Sequence, residues 1–289
     1  MAEPHLISDA PERDIVQTLG RIAAALERLA PPPPAEPDFA EAKVFRHEAQ
    51  SGRFIPAPLF PLALDLLVGV ESQKARVVET LSCFAAGHPA NHVLLWGSRG
   101  AGKSALAKAS FAHVAASAPS LRLIEADRDD VACLPTLFER LRRRAERFVV
   151  FCDDLSFEEG AAAAKALKSA LEGGVSGPPP NVILLATSNR RHLMPRAHGE
   201  SGGPMSAAED REEEVSASDR FGLWIGFPPM TQEAYLEAVN GYAARFDLDV
   251  ADLEDRALKW ARLRGARSGR IAWQFTRQLA GELGRPLPS

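Results

Sequence analysis

Cysteine, tyrosine and methionine are scarce in this chain of 289 residues, at three, two and four copies. The cysteines, Cys83, Cys133 and Cys152, are odd in number and share no short spacing, which excludes a disulfide framework or a zinc knuckle and suits a reducing compartment. Long apolar runs are missing as well. No stretch approaches the length of a membrane span and the first residues lack a signal-peptide core, so the expected location is cytoplasmic, with no membrane partner. Neither charge dominates: 34 Lys and Arg against 38 Asp and Glu leave a formal net charge of -4. That balance argues against a broadly basic surface coating nucleic acid. What is plentiful is apolar side chain, 46% of residues, enough for one α/β core and a smaller attached unit.

Residues 9 to 30 place Ile15, Leu19, Ile22, Leu26 and Leu29 on one helical stripe. Two heptads do not specify a coiled coil, and the stripe fits a helix docked on the body as well as a helix that binds a partner. PPPPAEP at 31–37 stops it and acts as a stiff extended spacer. Five apolar runs follow from about residue 66: HVLLW, LRLIE, FVVFC, NVILLAT and GLWIGF, with amphipathic helical stretches between the first four. Continuous apolar strands alternating with helices imply an α/β fold, a five-stranded parallel sheet covered on both faces. The Gly-, Ser- and acid-rich stretch 198–218 reads as a long loop. Beyond residue 230 only helical patterns remain, TQEAYLEAVNGYAARF, VADLEDRALKWARLRG and SGRIAWQFTRQLAGEL. The expected units are therefore 1–37, 38–228 and 229–289: an N-terminal helix with its linker, an α/β domain, and a small helical domain.

GSRGAGKS at 97–104 lies between the first apolar run and a helical pattern, and it matches G-x-x-x-x-G-K-[ST] in full. Gly97, Gly100 and Gly102 let the backbone turn its N–H groups around a polyphosphate, with Ser98, Arg99, Ala101 and Ala105 completing the cradle. The helix beginning near Lys103 adds the positive end of its dipole. Lys103 would reach the β- and γ-phosphates, and Ser104 would coordinate Mg²⁺.

Such a cradle needs an acid at the end of a neighbouring strand. FVVFCDD supplies Asp153 for Mg²⁺ and Asp154 beside the γ-phosphate, although two such acids could also cap the next helix. Asp154 is one methylene shorter than a glutamate base, and Glu158 or Glu159 could take its place.

At these residues the chain resembles the AAA+ ATPases, from about residue 66 to the end. The resemblance implies a three-layer α/β/α nucleotide-binding domain with a C-terminal helical lid, bound ATP and Mg²⁺, and assembly into a homo-oligomer. DLLVGVESQK looks like the segment lining the adenine pocket, making Leu67, Val68 and Gly69 base contacts. ATSNRRHLMP is similar to a sensor-1 strand end, with Asn189 positioning the lytic water. SASDRFG looks like a motif ending in an arginine finger, Arg220, and ARSGRIAWQF like a sensor-2 helix start, Arg270. More narrowly, PANHVLLWGSRGAGKS, FVVFCDDLSFEE, LEGG, ATSNRRHL and SDRFGLWIGF together resemble one bacterial family of AAA+ ATPases, the domain of unknown function 815 family.

The residues carry part of this independently. Asn189 follows an apolar strand and so emerges at the carboxyl edge of the sheet, where open α/β folds bind ligands. Arg220 precedes a strand at the amino edge and faces away from its own nucleotide, which suits action in trans or a salt bridge to Asp219. Arg267 rivals Arg270 as the lid's phosphate ligand. His88 and His92 stand four apart across Pro89 without further ligands, so a metal site is not expected. ERLRRRAER at 139–147 reads as a solvated helix face, and Trp224 and Trp273 as core. Two functions fit: an ATPase that hydrolyses ATP to remodel an unidentified protein client, and a nucleotide-gated module for DNA or a replication protein. Nucleic acid is the less favoured partner.

Overall fold

The computed structural model describes residues 10–29, 36–155, 161–189 and 220–287. Glu158, Glu159, Asp219 and the stretch 198–218 lie outside the described residues.

The sheet is built from parallel strands whose residues point alternately into two helical layers. Strands β3 (Val93–Gly97), β4 (Leu121–Ala126), β5 (Arg147–Cys152), β6 (Val182–Ser188) and β7 (Leu223–Phe227) are the five apolar runs, in spatial order β4-β5-β6-β3-β7. Leu94, Phe148, Val150, Cys152, Leu184 and Ala186 pack on one side against α4 (Leu134–Arg142) and α5 (Ala161–Glu172). Val93, Leu95, Val149, Phe151, Ile183 and Leu185 pack on the other against α2 (Glu71–Ala85) and α3 (Lys103–Ala115). A strand covered on both faces has no polar side to alternate, which is why these sequences are apolar throughout.

The sheet extends beyond the expected five strands. β1 (Val44–Glu48) runs parallel to β4, and β2 (Arg53–Pro56) pairs antiparallel with β1 through a turn closed by Gly52 at φ 67°. These strands are short and carry charges on their open face, and Pro56 stands where an edge strand tolerates it.

The basic segment 139–147 holds this extension in place, which corrects its reading as a solvated helix face. The Arg140 guanidinium lies over the Phe54 ring, and Arg144 lies over Phe39 and donates to the Pro37 carbonyl. Arg147 lies over Phe84 on the opposite face.

Three further helices, α6 (Gln232–Arg245), α7 (Leu253–Leu263) and α8 (Gly269–Glu282), enclose a separate apolar cluster. Tyr235, Val239 and Tyr242 of α6, Ala257 and Ala261 of α7, and Phe275 and Leu279 of α8 meet there. Leu66 and Val68, just before α2, reach into it and tie it to the sheet. The N-terminal helix α1 (Ala10–Leu29) is not docked through its stripe: Ile15, Leu19, Ile22 and Leu26 are 50–59% exposed. Among the described residues no helix is long and apolar enough to cross a membrane.

Candidate nucleotide-binding site

The carboxyl ends of β3, β5 and β6 open into a cavity of about 940 Å³, bordered by Tyr242 of α6 and by Gly269, Arg270 and Trp273 of α8. Arg99, Gly100, Gly102, Lys103 and Ser104 of the 97–104 segment form its floor, and the three glycines of that segment answer three different demands. Gly97, at φ 140°, lies so close to the Phe227 carbonyl of β7 that a Cβ would collide with it. Gly100, at φ 76°, approaches the lid: a Cβ would sit 2.9 Å from Ser268 Oγ. Gly102, at φ 94°, has open space around it and serves the left-handed turn into α3. The motif's glycines thus satisfy the sheet and the lid as much as the cradle.

α3 begins with no side-chain cap and no acid in its first turn. Its first N–H groups therefore face the cavity with positive dipole charge and no internal acceptor, an arrangement suited to phosphate oxygens. Lys103 is the first helical residue and 5% exposed. Its Nζ donates to the carbonyls of Gly97 at 3.0 Å and Ser98 at 2.9 Å, and to Asn189 Oδ1 at 2.9 Å. Burial pushes this ammonium below its ordinary value; nearby Asp154 and Asp153 oppose the fall, while Arg270 and Arg99 add to it.

Asn189 links the lysine to the acids. Its Oδ1 accepts from Lys103 while its Nδ2 donates to Asp154 Oδ1. Asp154 adopts a left-handed backbone, φ 56°, and its N–H donates to Thr187 Oγ1 at 2.9 Å. The next N–H, of Leu155, reaches the Thr187 carbonyl at 2.7 Å, so the tight turn after β5 is fixed by β6. Asp153 accepts on one oxygen from Ser104 Oγ at 2.5 Å and from Thr187 Oγ1 at 2.6 Å. Hydroxyl and carboxylate are the hard oxygen donors that Mg²⁺ prefers, so Ser104 and Asp153 fit that ion.

The sequence-derived residues divide as follows. Arg99, Gly100, Gly102, Lys103, Ser104, Ala105, Asp153, Asp154, Asn189, Arg270 and Leu67 all line the cavity. Val68 instead packs in the lid cluster, and Gly69, at φ 73°, lies against Ala234 of α6. Arg270, not Arg267, faces the cavity, with its backbone N–H directed to the Gly100 carbonyl at 3.4 Å. Trp273 is half-buried: it meets Tyr242 and Phe246 edge-on and also forms cavity wall.

Contributions unread in the sequence include Thr187, Lys108, Gly269, the apolar arm Leu59–Leu62, and Tyr242. Thr187 had a legible signal, a hydroxyl ending an apolar strand two residues before Asn189. The arm and Tyr242 carry no motif, and only folding brings them to the cavity.

Arg220 lies elsewhere. It precedes β7, whose Leu223 pairs with Val93 at the amino end of β3, and its Nε is 2.5 Å from Glu172 Oε1 at the end of α5. His92, at the same edge, accepts the Leu184 N–H on Nδ1 at 3.0 Å, and burial pushes its pKa down to about 4.

No curated protein sequence matches this chain. Among solved structures, the Thermotoga maritima RuvB Holliday junction branch migration motor is similar, with 22% identity, 78% of this chain and 67% of that chain covered, and a TM-score of 0.52. Aeropyrum pernix Orc1, solved in complex with DNA, is 17% identical over 77% of this chain and 64% of that one, with a TM-score of 0.55. This chain therefore spans about two thirds of either protein's length. These likenesses establish the fold as that of the AAA+ P-loop ATPases. A family model described as a protein of unknown function, DUF815, matches residues 40–283, and the chain belongs to that family.

Proposed function

We propose that this protein binds ATP with Mg²⁺ in the cavity beneath the lid and hydrolyses it, as a homo-oligomer, to remodel or regulate a protein client. The observation that carries the reading is the hydrogen-bonded chain Lys103–Asn189–Asp154, set beside the Ser104–Asp153 pair at the mouth of an uncapped helix. The α3 N–H groups and Lys103 hold the phosphates, the lysine exchanging the Gly97 and Ser98 carbonyls for phosphate oxygens. Ser104 and Asp153 hold Mg²⁺, which when bound neutralises phosphate charge. Asn189 and Asp154 orient a water; Asp154 takes its proton as the water oxygen bonds to the γ-phosphorus and the bond to the ADP oxygen breaks. Arg270 grips phosphate from the lid. Arg220, freed from Glu172, supplies positive charge to the γ-phosphate of an adjacent subunit. The chain on this reading divides into 1–37, 38–228 and 229–289, with the last unit acting as the lid.

Phosphate release by Asp154→Asn tests the catalytic part. That variant is expected to bind ATP normally and release no phosphate; release at the wild-type rate would remove Asp154 from the reaction.

A second reading has its own support. Asp154 is a short side chain already engaged by Asn189, which suits a nucleotide-gated module that holds ATP and turns over slowly while it engages DNA or a replication protein. Tight ATP binding by the wild type without measurable phosphate release would favour it.

A further inference from the structure

Between Arg256 and Gly281 the chain has seven basic residues, Arg256, Lys259, Arg262, Arg264, Arg267, Arg270 and Arg277, and no Asp or Glu, within a protein of net charge -4. Lys259, Arg262, Arg264, Arg267 and Arg270 gather where α7 turns into α8, and all five are exposed. Among the described residues none of the five forms an ion pair, in contrast to Arg256, which is bound to Glu282. Glu233 feels this corner: its pKa is lowered by its own backbone and by Thr231, and then by Arg267.

The corner is also held in shape. α7 ends with the Arg264 N–H on the Ala261 carbonyl at 3.2 Å and the Gly265 N–H on the Arg262 carbonyl at 3.1 Å, Gly265 taking φ 67°. Ser268 then caps α8 by accepting the Ile271 N–H at 3.3 Å. The Arg264 guanidinium lies 3.4 Å from the centre of the Trp260 ring, so its flat face is used and its N–H edges stay available to an acceptor.

We infer that the α7–α8 corner, Lys259 to Arg270, is a docking surface for the phosphate backbone of a nucleic acid. A series of cations two or three residues apart, free of acids and mostly guanidinium, suits a polyanion with one charge per nucleotide. Such a surface positions a strand without reading its sequence. An anionic membrane surface fits less well, because Leu263 is the single large apolar side chain exposed within this corner. The surface differs from the basic segment 139–147, where Arg140, Arg144 and Arg147 lie over aromatic rings, and it reaches the rim of the nucleotide cavity at Arg270.

The test is fluorescence anisotropy of a labelled oligonucleotide, single-stranded and as its duplex, titrated with the full chain across a salt series. Affinity for at least one form is expected to fall steeply with salt. Lys259→Glu with Arg262→Glu, which leaves the Arg264–Trp260 stack intact, should weaken it by roughly tenfold or more and reduce the log–log salt slope by about two. Arg262→Lys, which keeps the charge, should retain most of the binding. ATP calorimetry on the same variants should be unchanged, so failure here is distinguishable from failure of the nucleotide site. Oligonucleotide binding that survives the double charge reversal, or binding of a polyglutamate peptide or anionic vesicles but of no oligonucleotide, would overturn the inference.

Discussion

At the carboxyl edge of the sheet, Lys103, Asn189, Asp154, Thr187, Asp153 and Ser104 form one hydrogen-bonded group around a helix start with no side-chain cap; at the amino edge, Arg220 meets Glu172 and His92 is held neutral between strands. Parallel strands account for this difference. Their carboxyl ends run into helix N-termini, whose free N–H groups attract anions, while their amino ends receive helix C-termini such as that of α5, where an arginine is favoured. One edge is therefore suited to phosphate, as the proposed function requires. The other has no such field, and a cation there serves either the local fold or a neighbouring molecule.

Separating these two uses of Arg220 is the sharpest test of the contrast. Arg220→Ala should leave ATP affinity within a fewfold of wild type and lower turnover of the assembled protein by about a thousandfold or more. Equal loss of turnover in dilute, dissociated protein would place its effect within one subunit. Next in size is Lys103→Ala at the opposite edge, which leaves buried charge uncompensated on bound phosphate. ATP affinity should fall by about 3–5 kcal/mol, read by calorimetry, with folding retained.

His92 tests the amino edge as pure structure. Its folded pKa is depressed to about 4 from an ordinary 6.5. Above about pH 6.5 both folded and unfolded forms are neutral and the stability is fully present; as pH falls further the unfolded chain takes the proton first. Stability should therefore decline between about pH 6.5 and 4, by at most about 3 kcal/mol. Urea unfolding of wild type against His92→Gln reads this, and identical pH profiles would contradict it. The smallest effect is expected from Thr187→Val, which keeps shape but removes the bonds to Asp153 and to the Asp154 N–H, at about 1–2 kcal/mol of stability.

Much of the carboxyl edge was legible in sequence because it is local. Residues 97–104 run in one segment, and Asp153, Asp154 and Asn189 each sit at the end of a buried strand that announces itself by apolar content. β1 and β2 were not legible, because each is short and half-exposed and has no continuous apolar run, although Ser51-Gly52 marks the turn between them. The cavity's apolar arm at Leu59–Leu62 escaped for a different reason, since nothing in its own residues says which helices it will face. The two arginine-rich segments show the same limit. ERLRRRAER and RLRGAR look alike as strings, yet aromatic rings brought from β2 and the 36–39 segment cover the first. Only folded contacts separate a guanidinium used for packing from one left for a partner.

The central claim is that the mouth of β3 seats a triphosphate jointly with a metal held by β5. Isothermal titration of ATP into the intact protein, with and without Mg²⁺, measures it directly. Binding that tightens when Mg²⁺ is present, and loses that gain in Asp153→Asn, is the expected result. No heat of ATP binding with Mg²⁺, or affinity indifferent to both the ion and Asp153, would contradict it.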